Sequence, residues 1–149
     1  MKIFIGSDHA GFELKQRLVG FLSEKDHFNF SIEIKDFGTN DANSVDYPDY
    51  ANLVSQEIKK HPSSYGILVC GSGQGMCMRA NKFEHIRAAL VYNSEIAKLS
   101  REHNDANIIC LGSRFASLAQ AQDWIKLFLT TPFAGGRHAA RVAKISSPA

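Results

Sequence analysis

The chain has 149 residues, 44% of them hydrophobic and 21% charged, with a formal net charge of +2. That length and composition suit a single domain spanning 1–149 with an ordinary hydrophobic core, and so small a charge excludes nucleic acid or an anionic membrane surface as the partner. No apolar run approaches the ~20 residues of a membrane span, and the chain opens directly on an apolar run with no charged leader, so the expected compartment is the cytoplasm.

Residues 2–6 (KIFIG) read as a buried strand, and 10–25 as a helix with Phe12, Leu14, Leu18, Val19 and Leu22 on one face. A second strand fits 31–37 and leads into the Gly, Asn and Asp-rich loop 38–46. The next helix, 48–60, opens on Pro48, where a proline suits the first turn. Strand three, 65–70 (YGILVC), runs into Gly71-Ser72-Gly73-Gln74-Gly75 and a short helix reaching about Lys82. Strand four is 86–91, followed by helix 94–103. Strand five, 107–111, precedes a helix near 115–130 with Phe115, Leu118, Ala121, Ile125 and Leu129 facing inward. A basic segment, 136–145, closes the chain as a helix.

Five β-then-α units predict an α/β fold, a Rossmann-like parallel sheet covered by helices on both faces. Ligands of such sheets bind beyond the carboxyl ends of the strands, where the winding reverses. The expected strand tips read Gly6-Ser7-Asp8-His9, Cys70-Gly71-Ser72-Gly73 and Gly112-Ser113-Arg114, small and polar with charges following. A polar, anionic ligand suits them.

The alternating glycines 71, 73 and 75 let backbone N–H groups converge on an anion. Two nucleotide readings fail. Met76 stands where a dinucleotide fingerprint needs its third glycine, and neither Gly11 nor Gly75 is followed by the Lys-Ser/Thr of a phosphate loop. Cys70, Cys77 and Cys110 are an odd number without paired metal spacing, so they read as reduced thiols. Cys77 and Cys110 are expected in the core. Cys70 is either a buried strand-end cysteine or a reactive thiol, and its place beside three glycines favours the reactive reading.

His27, His61 and His85 are given no role. His103 ends a helix, where a histidine also serves as a cap, and Asp8 can cap the helix that follows it while handling substrate hydroxyls. Arg137 and Arg141 lie four apart, on one helical face, with His138 beside them. They form either a solvated basic helix or a phosphate clamp that Arg114 joins.

The segments GSDHAGFELK (6–15), DFG with DYPDYA (36–38 and 46–51), ILVCGSGQGM (67–76), ANKFEHIRAAL (80–90), REHNDANIICLGSR (101–114) and GGRHAARV (135–142) together resemble the ribose-5-phosphate isomerase B family, which includes galactose-6-phosphate isomerase subunits. The resemblance covers nearly the whole chain. It implies an α/β/α sandwich with five parallel strands, a homodimer or dimer of dimers with active sites at the subunit interface, and 136–145 contacting the partner. It implies Cys70 as the base moving a proton between C1 and C2, His103 in ring opening, and Asp8 at the substrate's oxygens. Gly71, Ser72, Gly73 and Gly75 match the enediolate loop, and Asn104 a further contact to it. His9, Arg114, Arg137 and Arg141 match phosphate ligands, and Tyr47 a wall of the pocket. Some members carry serine at the Cys70 position and a glutamate base beyond the loop; here Met76-Cys77-Met78 follow it, so the thiol is the expected base. No cofactor is expected, because thiol, imidazole and guanidinium make a poor cage for a hard cation. The competing readings are a hexose 6-phosphate isomerase of the galactose or allose type and a non-catalytic sugar-phosphate-binding module.

Overall fold

The structure, a computed structural model, describes residues 1–147, so the last two positions of the 1–149 span lie outside the described residues. The strands are β1 (Lys2–Ser7), β2 (Glu33–Asp36), β3 (Tyr65–Cys70), β4 (Ala88–Leu90) and β5 (Ile108–Gly112). All pair in parallel, in the order β2-β1-β3-β5-β4. From β1 the chain steps to β2 on one side, then crosses to β3 on the other. The winding therefore reverses between β1 and β3, and the crevice beyond their carboxyl ends is the natural ligand site of this sheet.

Helices α1 (Phe12–Ser23), α4 (Ser94–Glu102) and α5 (Leu118–Thr130) cover one face, and α2 (Tyr47–Lys60) and α3 (Gln74–Ala80) the other. Strand alternation feeds both layers. Ile3, Ile5, Ile67 and Ile109 enter the core with Leu18, Ile125 and Phe128, whereas Phe4, Leu68 and Cys110 meet Val54, Ile58 and Met76. Truncating one of these isoleucines to alanine costs about 2–5 kcal/mol. Helix α6 (Arg137–Ile145) buries none of its residues in the chain.

The α/β/α architecture expected from the sequence is present, with corrections at element ends. The edge strands β2 and β4 are shorter than the expected 31–37 and 86–91, since each has a ladder partner on one side only. Helix α1 stops at Ser23, and a 3₁₀ turn over Lys25–His27 follows. Helix α5 begins at Leu118 because Ser117 and Gln120 form a capping box there. Phe115 consequently precedes the helix and is 74% exposed, not inward. Cys110 is fully buried, while Cys77 is half-buried against the same layer. Among the described residues no helix is long and apolar enough to cross a membrane, and no group of three or more His, Cys, Asp or Glu side chains is placed to hold a metal.

Candidate active site

The tips of β1, β3 and β5 converge through backbone bonds. Asp8 N–H donates to the Val69 carbonyl at 3.2 Å, Ser113 N–H to that of Cys70 at 2.9 Å, and Ser113 Oγ to that of Ala10 at 2.8 Å. Gly11 is glycine because a Cβ would stand 2.4 Å from the Val69 carbonyl oxygen. Such packing brings Asp8, Cys70 and the glycine loop together, as their strand-tip positions suggested.

The Cys70 side chain is 4% exposed, and its Sγ accepts a hydrogen bond from Gly73 N–H at 3.1 Å. Gly73 has φ +78°, and a Cβ there would meet Leu90 Cδ1 at 2.7 Å. Only glycine therefore keeps the N–H aimed at the sulfur without strain. Asp8 is 7% exposed, with Oδ1 accepting from Gly11 N–H at 2.9 Å. Asp8 therefore does not cap α1, whose N-cap is Gly11 with no side-chain bond; its carboxylate closes the turn that leads into the helix, with Oδ2 unused by that bond. His9 Nδ1 accepts from Val45 N–H at 3.2 Å. In the neutral ring this leaves the proton on Nε2, a donor available to an anion. The exposed Arg114 guanidinium lies across Gly71, its Cζ 3.3 Å from where a Cβ would project, and the Tyr47 ring lies closer over Gly75, its Cζ 2.5 Å from the corresponding point. Beside the loop is a hollow of about 240 Å³ lined by Ser72, Gln74, Leu90, Tyr92, Phe115 and Trp124.

His103, Asn104, Arg137 and Arg141 are elsewhere. Helix α4 leaves the carboxyl end of β4 and returns to the start of the parallel neighbour β5, so its C-cap residue His103 sits toward the amino ends of the strands. Nine helical residues rise about 13 Å, and a five-residue strand about 16 Å. The last segment joins His103 there. Ala134 N–H donates to the Glu102 carbonyl at 2.9 Å, Gly135 and Gly136 turn the chain at φ +62° and +54°, and the His138 ring stacks on His103 with centroids 4.2 Å apart. Lost hydration, followed by the positive charges of His103, Arg137 and Arg141, holds the His138 imidazole below its usual pKa. The predicted residues thus form two half-sites at opposite ends of the strands: Cys70, Asp8, the glycine-loop amides, His9 and Arg114 at one, His103, Asn104, Arg137 and Arg141 at the other.

Burial pushes the Cys110 thiol well above its usual pKa, whereas the hydrogen bond between them lowers that of Cys77. Neither lies at a strand tip. Lys15 was missed by sequence reasoning. It is fully buried, with Nζ 2.5 Å from Asp36 Oδ2, while Asp36 Oδ1 accepts from Gly38 N–H at 2.8 Å. Gly38 and Thr39 in turn bond the backbone of Ser7, at 2.7 and 2.9 Å, so the pair fastens the loop beside Asp8. The signal was present: with Leu14, Leu18 and Leu22, position 15 falls on the apolar stripe of α1.

The sequence profile of the ribose/galactose isomerase family matches residues 3–145. Ribose-5-phosphate isomerase B of Escherichia coli (strain K12) is 39% identical over 146 residues, covering 98% of this chain and 95% of that protein. The structure of the Clostridium thermocellum ribose-5-phosphate isomerase B superposes with a TM-score of 0.92 at 46% identity, covering 98% of this chain and 95% of that one. That of the Mycoplasma genitalium enzyme with bound ribulose-5-phosphate superposes with a TM-score of 0.89 at 42% identity, covering 97% and 93%.

Proposed function

Because this chain belongs to the ribose/galactose isomerase family, we propose that it interconverts ribose 5-phosphate and ribulose 5-phosphate through a cis-enediolate. The observation that carries the reading is the Cys70 sulfur at the β1/β3 crevice, bonded by Gly73 N–H and flanked by Asp8 and the glycine loop. A relative of the same fold is named for its bound ribulose-5-phosphate.

Cys70 thiolate removes the C2 proton of the open-chain aldose, and the electron pair moves through the new C1–C2 double bond onto O1. Amides of the 71–75 loop stabilise that oxygen, a contribution of about 10²–10³-fold per donor. A proton passes from O2 to O1 and the proton on sulfur returns to C1, which leaves the carbonyl at C2 and gives the ketose. Asp8 holds substrate hydroxyls, and His103 passes a proton between ring oxygen and hydroxyl to open the furanose. Asn104 adds a contact to the enediolate. His9, Arg114, Arg137 and Arg141 hold the phosphate, and Tyr47 walls the pocket.

Two half-sites at opposite ends of the strands support a site completed by a second chain. In a two-fold dimer, alone or paired into a tetramer, the Cys70 half of each subunit meets the His103 half of its partner, making two sites per dimer. Helix α6, which buries nothing within its own chain, supports the assignment of 136–145 to the partner contact. The enzyme is placed in the cytoplasm, in the non-oxidative pentose phosphate pathway.

Turnover of Cys70→Ala and His103→Ala on ribose 5-phosphate tests the assignment. Each loses about 10²–10⁴-fold if acid–base groups have been removed; near-wild-type turnover of the cysteine variant refutes its role. Ribose, allose and galactose phosphates assayed side by side separate pentose from hexose preference, and binding without turnover would mean a non-catalytic module.

A further inference from the structure

We infer that Asp105, gripped by Arg87 and Arg101, is the positioning residue that sets His103 for ring opening, an inference resting on the role proposed for His103. Asp105 lies two residues beyond His103 and has φ +47°, a left-handed conformation unusual for a residue with a Cβ. The carboxylate meets two guanidiniums: Oδ1 accepts from Arg101 Nη1 at 2.8 Å, and Oδ2 from Arg87 Nη2 at 3.0 Å. Arg87 Nε also donates to the Asp105 carbonyl at 2.8 Å, so side chain and backbone are gripped together.

Both arginines are anchored independently. Arg101 is 6% exposed, donates to the Ala106 carbonyl and the Tyr65 hydroxyl, and lies over the Tyr65 ring. Arg87 N–H donates to Asn107 Oδ1 and the Arg87 carbonyl accepts from Asn107 N–H, just before β5. On the other side of the turn, His103 N–H donates to Leu99, Asp105 N–H to Arg101 and Ala106 N–H to Ser100. His103 and Asn104 thus occupy a turn fixed at both ends, one end by α4 and the other by the sheet. A buried ion pair needed only for stability would require neither the left-handed turn nor the grip on the Asp105 carbonyl. Those two features aim the residues just before it.

A double-mutant cycle decides between positioning and stability. Isomerisation of ribose 5-phosphate is measured for wild type, Asp105→Ala, His103→Ala and the double variant. Asp105→Ala is expected to lower kcat by about 10²-fold, the effect of a misplacement near 1 Å. In the His103→Ala background the same substitution is expected to cost only a few-fold, because nothing is left to position. An equal penalty in both backgrounds, or none in the wild type, overturns the inference. If Asp105→Ala does not fold, Arg87→Met releases Oδ2 and the carbonyl grip while leaving the Arg101 anchor, and the same cycle is run with it. A wild type without isomerase activity, or a fully active His103→Ala, overturns the functional reading and this inference with it. A crippled His103→Ala with an additive cycle overturns the inference alone.

Discussion

Mixing two dead variants should regenerate a defined fraction of activity. Cys70→Ala lacks the proposed base in one half-site and His103→Ala lacks the imidazole in the other; α4 and β5 separate these halves along the sheet. When equal amounts are unfolded together and refolded, chains pair at random. A given site then draws an intact Cys70 with probability of one half and an intact His103 with the same probability. The product is about one quarter of wild-type activity, and it is the same for a dimer or a dimer of dimers because each site joins two chains. The assay is conversion of ribose 5-phosphate to ribulose 5-phosphate at fixed total protein, with each variant refolded alone as control. A mixture no more active than the sum of its parents would mean that each chain completes its own site, and the two-chain reasoning would be wrong.

The buried pair at Lys15 should respond asymmetrically. Asp36→Asn strands a fully buried ammonium and is expected to cost about 3–5 kcal/mol, whereas Lys15→Met leaves a partly exposed carboxylate and should cost much less, read from denaturant midpoints. Gly73→Ala forces a Cβ into a left-handed site against Leu90; it should destabilise by at least about 1–2 kcal/mol and lower kcat by shifting the N–H off the Cys70 sulfur, measured by melting and steady-state rates. His138 should titrate, by NMR, below the ordinary 6.5, because lost hydration and then its positive neighbours favour the neutral ring. With a depressed pKa it leaves stability unaffected above that pH and lowers it as the unfolded chain takes up its proton first, and Arg141→Gln should move the titration upward.

Much of the fold was legible because the physical signals were local. The switch from short apolar runs to helical periodicity marks all five strands and six helices, and proline and capping residues mark several ends. Errors fell where a neighbour decides the outcome. Strands β2 and β4 lie at sheet edges, a position that periodicity does not encode, and their apolar flanks were read as strand. Phe115 was placed inward because it continues the stripe of α5, but the Ser117–Gln120 box starts the helix after it.

In the candidate site, Cys70, Asp8 and the glycines could be found from the chain alone, since strand tips announce themselves. Separation of His103 from Cys70 depends on strand order, which spacing along the chain leaves open. Lys15 lay on the apolar face of α1 in plain view, but its partner is twenty-one residues on, at the tip of another strand. The Asp105 grip is harder still to foresee. It joins Arg87 to a turn eighteen residues away and depends on one backbone angle.

Trp124 is the chain's sole tryptophan, 4% exposed, and it lines the hollow beside Ser72, Gln74 and Gly112. Indole emission shifts in wavelength and intensity with the polarity and motion of what surrounds it. Excitation at the red edge of the protein band therefore illuminates one spot, next to the loop proposed to receive the sugar. Occupancy can be followed in the unlabelled protein, in real time, as a change of light.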